Sequence, residues 1–375
     1  MAYGKKNKIK MNWSDYNVGL LGESGAGKTT IINEICLKTL GEDGYLFAEC
    51  GHEDGADAIA GIPYINCPSW SEEYDELNNS VGFIDLVDDI IENKDEEYPE
   101  LKILVIDTYD ELRNIVKPEV IRMYNKETDK KITSIKSAYG GYNAGEDKVD
   151  EIILDKLWEL KKVGVNFIII GHTKLKEIVN PENGETFMKL TSDMSPSTFG
   201  KIKNKLHFLG VLYIDRSFKT VRVKDKAKKF ATDEKRRISF RDDDYSVDSK
   251  SRFADIIDEI PFDPDAFIKA MNDAIEAEAK KGKTSIEDLK KEQEEAAEKK
   301  AKAATEYSKN QKVNKVDAEA NEDIVSEIKS LFDDATADQK KSVKEIMAEN
   351  GLKNFKDVSD VPTRVLQSIL DALKA

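Results

Sequence analysis

Apolar runs of strand length alternate with helix-period segments along residues 17–215. Residues 18–21 form a short apolar run. Residues 29–40 then put Ile31, Ile32, Ile35 and Leu37 on one helical face, and Gly41 stops that helix. Residues 45–48 and 62–67 read as short strands, and 81–91 as an amphipathic helix. Residues 101–106 are almost continuously apolar. A helix is expected over 109–124 with a break or kink at Pro118, another over 148–163, and a buried β-branched strand over 165–170. Strands alternating with helices predict an α/β fold with a mainly parallel sheet covered on both faces.

Two segments depart from this rhythm. Residues 125–147 form a polar, glycine-bearing insertion that includes Tyr139 and Tyr142. Residues 207–215 and 219–224 predict a β-hairpin turning at Arg216, Ser217 and Phe218. The chain turns helical from about Asp265. Residues 274–311 are mostly Ala, Glu and Lys, which predicts an exposed helix or mobile spacer with little to bury. Periodicity returns over 321–375, with Ile324, Ile328 and Leu331 on one face, Val343 and Ile346 on another, and Pro362 opening a last helix. The expected domains are a core over 1–270, a charged helical linker over 271–320 and a small helical module over 321–375.

The chemistry concentrates where the first strand meets the first helix. Gly22, Glu23, Ser24, Gly25, Ala26, Gly27, Lys28 and Thr29 match G-x-x-x-x-G-K-[ST] in the strand-to-helix setting that this motif requires, and Thr30 follows. The glycines turn backbone N–H groups inward around phosphate oxygens, and the helix adds its N-terminal dipole. Lys28 is expected on the β- and γ-phosphates and the Thr29 hydroxyl on Mg²⁺. Asp107, closing the apolar run 101–106, is the expected second metal contact. The cofactors read from this pattern are ATP and Mg²⁺. Thr108 stands where many P-loop ATPases carry a glutamate after that aspartate, so the water-activating base lies elsewhere or hydrolysis is poor. Glu53 is preferred, with Glu49 as second choice. His172, expected to leave the 165–170 strand, is a candidate γ-phosphate sensor.

These residues resemble the RecA superfamily, and within it the phage nucleotide-binding ATPases associated with single-strand annealing and recombination. The likeness rests on the loop through Thr30, on Asp107 followed by a hydroxyl residue, on Glu53-Asp-Gly with Ala58-Ile-Ala-Gly-Ile62, and on His172 after the fourth strand. It spans about residues 15–270. It implies a RecA-like core in which Glu53 activates water and His172 takes the sensor position. The 125–147 insertion and the acidic helical tail fall outside that pattern, which leaves oligomerisation and DNA stimulation open.

Charge then narrows the partners. The chain carries a formal net charge of −15, which argues against a basic coat over the whole molecule. Residues 201–241 nevertheless hold 14 Lys or Arg against 4 Asp or Glu. Lys201, Lys203, Lys205, Lys226, Lys228, Lys229, Arg236 and Arg237 are candidate contacts to single-stranded DNA, with Phe218, Phe230 or Phe240 for base stacking. Pairing of that stretch with the acidic tail or a neighbouring subunit is the rival use. The helical module is expected to recruit a partner such as a single-strand binding protein. Three scattered cysteines, no signal peptide and no membrane-length apolar run suggest a cytoplasmic protein, in the host cytoplasm if phage-encoded. The favoured expectation is a RecA-like ATPase acting on single-stranded DNA in recombination or replication. The alternatives are a non-hydrolysing nucleotide switch and a small-molecule kinase.

Overall fold

The computed structural model describes residues 7–180, 183–223, 226–241, 246–282, 285–314, 318–332, 335–350, 352 and 361–374. Five parallel strands form its centre: β1 (Val18–Gly22), β2 (Tyr45–Cys50), β3 (Tyr64–Cys67), β4 (Ile103–Asp107) and β5 (Asn166–Val179). They lie in the order β3-β2-β4-β5-β1. The strand β6 (Thr186–Ser192) folds back antiparallel on β5. On the other flank, β7 (Phe208–Val223) runs parallel to β1 and antiparallel to β8 (Lys226–Ser239), and the short β9 (Lys250–Ser251) and β10 (Glu259–Pro261) pair with β7 and β8.

β1, β4 and the first half of β5 are almost wholly apolar, and both faces of the sheet are covered there. On β4, Leu104 and Ile106 enter the core lined by α2 (Phe83–Glu92), α3 (Tyr109–Thr128), α4 (Ala144–Lys162) and α5 (Pro196–Lys203). Its alternate residues Ile103 and Val105 enter the opposite core, lined by α1 (Lys28–Leu40) and α6 (Pro264–Lys280). That division follows the period-2 alternation of a strand. At roughly 1.5–3 kcal/mol for each large apolar side chain buried, the two cores are the main stabilising term.

Several boundaries differ from expectation, each for a physical reason. α3 passes through Pro118 to Thr128 without ending, because Val116 and Val120 on either side are fully buried and hold it against the sheet. β5 continues nine residues past Ile170, because β6 pairs with the extension from Thr173 to Val179. The 125–147 stretch is shared between α3, a 3-10 segment at Ile135–Gly140 and α4. The hairpin does not turn at Arg216–Phe218. β7 runs straight through that tripeptide with a bulge between Ser217 and Phe218 and stays paired with β8 as far as Val223; residues 224–225 lie outside the described residues. Arg-Ser-Phe offers none of the glycine or asparagine that a tight reversal favours.

The expected boundary at 270/271 falls inside α6, whose Met271, Ala274, Ile275 and Ala279 are buried in the same core as α1. α7 (Ile286–Asn314) is largely exposed, as its composition suggests, yet Leu289 and Ala304 are buried against the two cores. α8 (Ala318–Phe332), α9 (Ala337–Glu349) and α10 (Thr363–Lys374) share their own cluster, with Ile328, Val343, Leu366 and Ile369 inside it. Among the described residues no helix is long and apolar enough to cross a membrane.

One buried charge network ties α3 to α4. Arg113 is held by Asp150 at 2.7 Å and Glu146 at 2.8 Å, and both Arg113 and Asp150 are almost fully buried. Asp150→Ala leaves a buried guanidinium with half its partners, so we expect a loss of about 3 kcal/mol in urea unfolding at neutral pH. A loss under 1 kcal/mol would show the network to be dispensable.

Candidate functional site

The C-terminal ends of β1, β2 and β4 converge on one place, beside the middle of β5. β1 ends at Gly22, the chain loops outward, and Gly25 and Gly27 take positive φ of 72° and 100°. Left-handed backbone at those positions favours glycine and lets the loop close directly onto Lys28, the first residue of α1. Ala26 is buried and its N–H donates to the Glu23 carbonyl, while Glu23, Ser24, Gly25 and Thr30 face solvent. Lys28 folds back inside the loop, its Nζ donating to the carbonyls of Gly22 at 3.2 Å and Glu23 at 3.0 Å. Burial lowers its pKa, opposed by the charges of Asp107, Glu53 and Asp110. The ammonium therefore sits among carbonyls that a phosphate would replace.

Thr29 and Asp107 meet as expected. The Thr29 hydroxyl donates to Asp107 Oδ2 at 2.6 Å, joining the first turn of α1 to the end of β4. Asp107 is 3% exposed, and burial pushes its pKa up to about 6, with the Thr29 hydrogen bond pulling the other way. A divalent cation fits this donor pair, since a desolvated carboxylate favours a positive neighbour. Among the described residues no group of three or more His, Cys, Asp or Glu side chains is placed to hold a metal, so an ion here needs phosphate oxygens and water as further ligands.

The two glutamates proposed as base are both present but in different states. Glu53 is partly exposed, and its Oε1 accepts from the Thr108 hydroxyl at a long 3.4 Å. Glu49, at the end of β2, is paired in register with Asp107 and is 1% exposed. Its Oε1 accepts from the Ala56 N–H at 2.6 Å, whereas Oε2 is buried with no partner. Burial pushes its pKa up to about 7 against the pull of that hydrogen bond. Gly55 closes the space above: a Cβ there would lie 3.5 Å from Thr29 Oγ1 and 3.7 Å from Glu49 Oε1. Burial of this kind depends on strand register and loop closure, which the sequence preference for Glu53 could not take into account.

His172 does reach the site, though from within a strand rather than from a loop leaving one. It is paired in register with Gly22, and its Nδ1 lies 2.8 Å from Asp110 Oδ2. That hydrogen bond raises the histidine pKa, and burial opposes it. Asp110, in the first turn of α3, was not anticipated. Burial works to raise its pKa, but the His172 contacts outweigh that and hold it below the ordinary carboxylate range.

The basic stretch does not form one free patch. Lys201 pairs with Asp147 and Asp150, Lys203 with Asp248, and Arg237 with Glu259. Lys205 lies over the Trp158 ring. Phe240 is fully buried against Phe267. The side chains of Phe218, Lys226, Lys228, Lys229 and Phe230 lie outside the described residues. In the former insertion Tyr142 is wholly exposed, while Tyr139 packs on Tyr124 at 5.0 Å.

A parallel sheet whose first strand opens into this loop, faced by a buried aspartate from an adjoining part of the sheet, defines a P-loop nucleoside triphosphatase core. A family model described as an AAA domain matches residues 14–253, well over half of the chain, and the chain belongs to that family of nucleotide-binding ATPase domains. No curated protein matches it.

The raised pKa values carry a prediction for the nucleotide-free protein. Glu49 and Asp107 hold protons in the folded state that the unfolded chain has released between about pH 4 and 7. Stability from this source is therefore full below the unfolded values and is lost as pH rises through about 6 to 7. Glu49→Gln should raise the melting temperature at pH 8 and change it little at pH 4. A variant no more stable than wild type at pH 8 would refute the buried-charge reading.

Proposed function

We propose that this protein hydrolyses Mg-ATP and couples hydrolysis to action on single-stranded DNA, in phage recombination or replication. The observation that supports hydrolysis best is the unpartnered Glu49 Oε2, buried beside Asp107 and Thr29 at the mouth of the phosphate loop. In this reading Lys28 binds the β- and γ-phosphates, and Thr29 and Asp107 hold the magnesium. The ion supplies charge neutralisation on the phosphate oxygens. Glu49 Oε2 takes a proton from the attacking water as the new oxygen–phosphorus bond forms. The bond from the γ-phosphorus to the bridging oxygen breaks, and ADP and phosphate leave. A carboxyl poised near neutral pH suits a base better than a solvated one. We therefore prefer Glu49 and give Glu53, on the Thr108 hydroxyl, a supporting place. In this reading His172, tied to Asp110, senses the γ-phosphate.

The DNA reading rests on less. Lys201, Lys203 and Arg237 are committed to carboxylates, so in this reading DNA contact falls to Lys226, Lys228 and Lys229, whose side chains lie outside the described residues. The helical module of α8, α9 and α10 would recruit a partner, a single-strand binding protein being the kind expected.

Turnover measured with and without single-stranded DNA tests the whole. We expect stimulation by DNA, a loss in kcat of about 100-fold or more for Glu49→Gln, and a smaller loss for Glu53→Gln. Absence of turnover in both conditions would refute the enzyme reading and favour a non-hydrolysing switch. DNA affinity should fall steeply with salt and weaken when Lys226, Lys228 and Lys229 are neutralised together. A flat salt response would remove DNA from the proposal.

A further inference from the structure

The phosphate loop has a second neighbour. A Cβ built on Gly27 would lie 2.9 Å from Phe262 Cζ, 3.1 Å from Arg236 Nη1 and 3.4 Å from Phe262 Cε2. A ring and a guanidinium therefore rest directly against the glycine that precedes Lys28. Both come from the far flank of the sheet. Arg236 lies on β8, and Phe262 follows β10, whose Pro261 pairs with Arg237. The Phe262 N–H donates to the Arg236 carbonyl at 3.1 Å, and the guanidinium carbon stands 5.4 Å from the ring centroid. That is a cation–π stack in which each side chain fixes the other.

The ring is itself held. Asp263 caps α6 through Ala266 N–H at 2.8 Å, α6 buries Phe267 and Met271, and Asp265 pairs with Lys38 of α1 at 2.7 Å. The turn that carries Phe262 is thus fastened to the same helix that the phosphate loop opens. Arg237 next door is engaged by Glu259, whereas Arg236 makes no ion pair among the described residues. An arginine keeps its charge at every working pH and offers five N–H donors in a rigid fork. Sequence alone had placed Arg236 among the DNA contacts. Phe262 carried no signal and lies beyond the matched residues 14–253.

We propose that Arg236 is a nucleotide contact, donating from its guanidinium to the diphosphate portion of a bound nucleoside di- or triphosphate at Gly27, and that Phe262 is the residue positioning it. The proposal rests on the nucleotide-binding reading above. It gives the site two cations of different kinds: a buried lysine inside the loop and a permanently charged arginine outside it.

Titration of the full-length protein with ADP and with ATP, at fixed Mg²⁺, tests this. Arg236→Gln should weaken both nucleotides about tenfold or more, as loss of a charge-assisted contact does. The melting temperature without nucleotide should stay near wild type. Arg236→Lys should recover part of the affinity, and Phe262→Leu should lose several-fold while keeping the charge. Because the lost contact is ionic, ADP binding by Arg236→Gln should respond less to added salt than wild type, a change that a merely structural role would not produce. Wild-type affinity and wild-type salt response in Arg236→Gln would overturn the proposal. Where wild type binds and Lys28→Ala does not, wild-type behaviour of Arg236→Gln sinks the Arg236 assignment alone and leaves the nucleotide reading standing. If wild type itself binds neither nucleotide, the nucleotide reading fails with it.

Discussion

The carboxylate of Asp107 is sealed into the end of a sheet that is covered on both faces, and the Thr29 hydroxyl is its neutral hydrogen-bond partner. Burying a charge this way is costly unless something positive arrives. Glu49 adds a second buried carboxyl one strand away, and the partly exposed Glu53 lies nearby, while Lys28 is held by loop carbonyls. Buried carboxyls this close disfavour one another's charged forms, and protonation near neutral pH is one relief. The alternative relief is a divalent cation with phosphates, which would satisfy Asp107 and Thr29 and draw Lys28 off the carbonyls. The same burial that lowers stability in the free protein therefore works as affinity for the ligand.

The architecture exists to hold that arrangement. Leu104 and Ile106 pull β4 against α3 and α4, while Ile103 and Val105 pull it against α1, so the strand end cannot move relative to the phosphate loop. The ion pairs of Arg113 with Asp150 and Glu146 lock α3 to α4 behind it. Cut off from bulk water, Asp107 and Glu49 keep their raised pKa values.

How much of this was legible in the sequence depended on how local each feature is. The phosphate loop lies in consecutive residues and needs only a strand before it and a helix after, so Gly22 to Thr30 could be read directly. Asp107 was readable because an apolar run ending in a carboxylate is also local. Sequence favoured Glu53 over Glu49, but which of them is buried depends on β2 pairing with β4 and on Gly55 beside the site, which spacing does not reveal. The hairpin turn was misplaced because Arg216, Ser217 and Phe218 interrupt the apolar alternation without turning the chain; a bulge absorbs them. Arg236 and Phe262 meet Gly27 across more than 200 residues of chain, and no pattern in sequence encodes such a contact.

β5 carries the remaining consequence. His172 stands beside Gly22 and holds Asp110, and from there the same strand runs on to Val179, paired all the way with β6. At about 3.3 Å per residue, those seven residues reach roughly 23 Å from the site. By register and alternation, Leu175 and Val179 share a face with Met188 across the ribbon, and all three are exposed. A hydrogen-bonded ribbon of this kind moves with its root more readily than a loop would. Were His172 to meet a γ-phosphate, a shift of its backbone would reach Leu175 and Val179 through one continuous strand, paired with β6 from Thr173 onward.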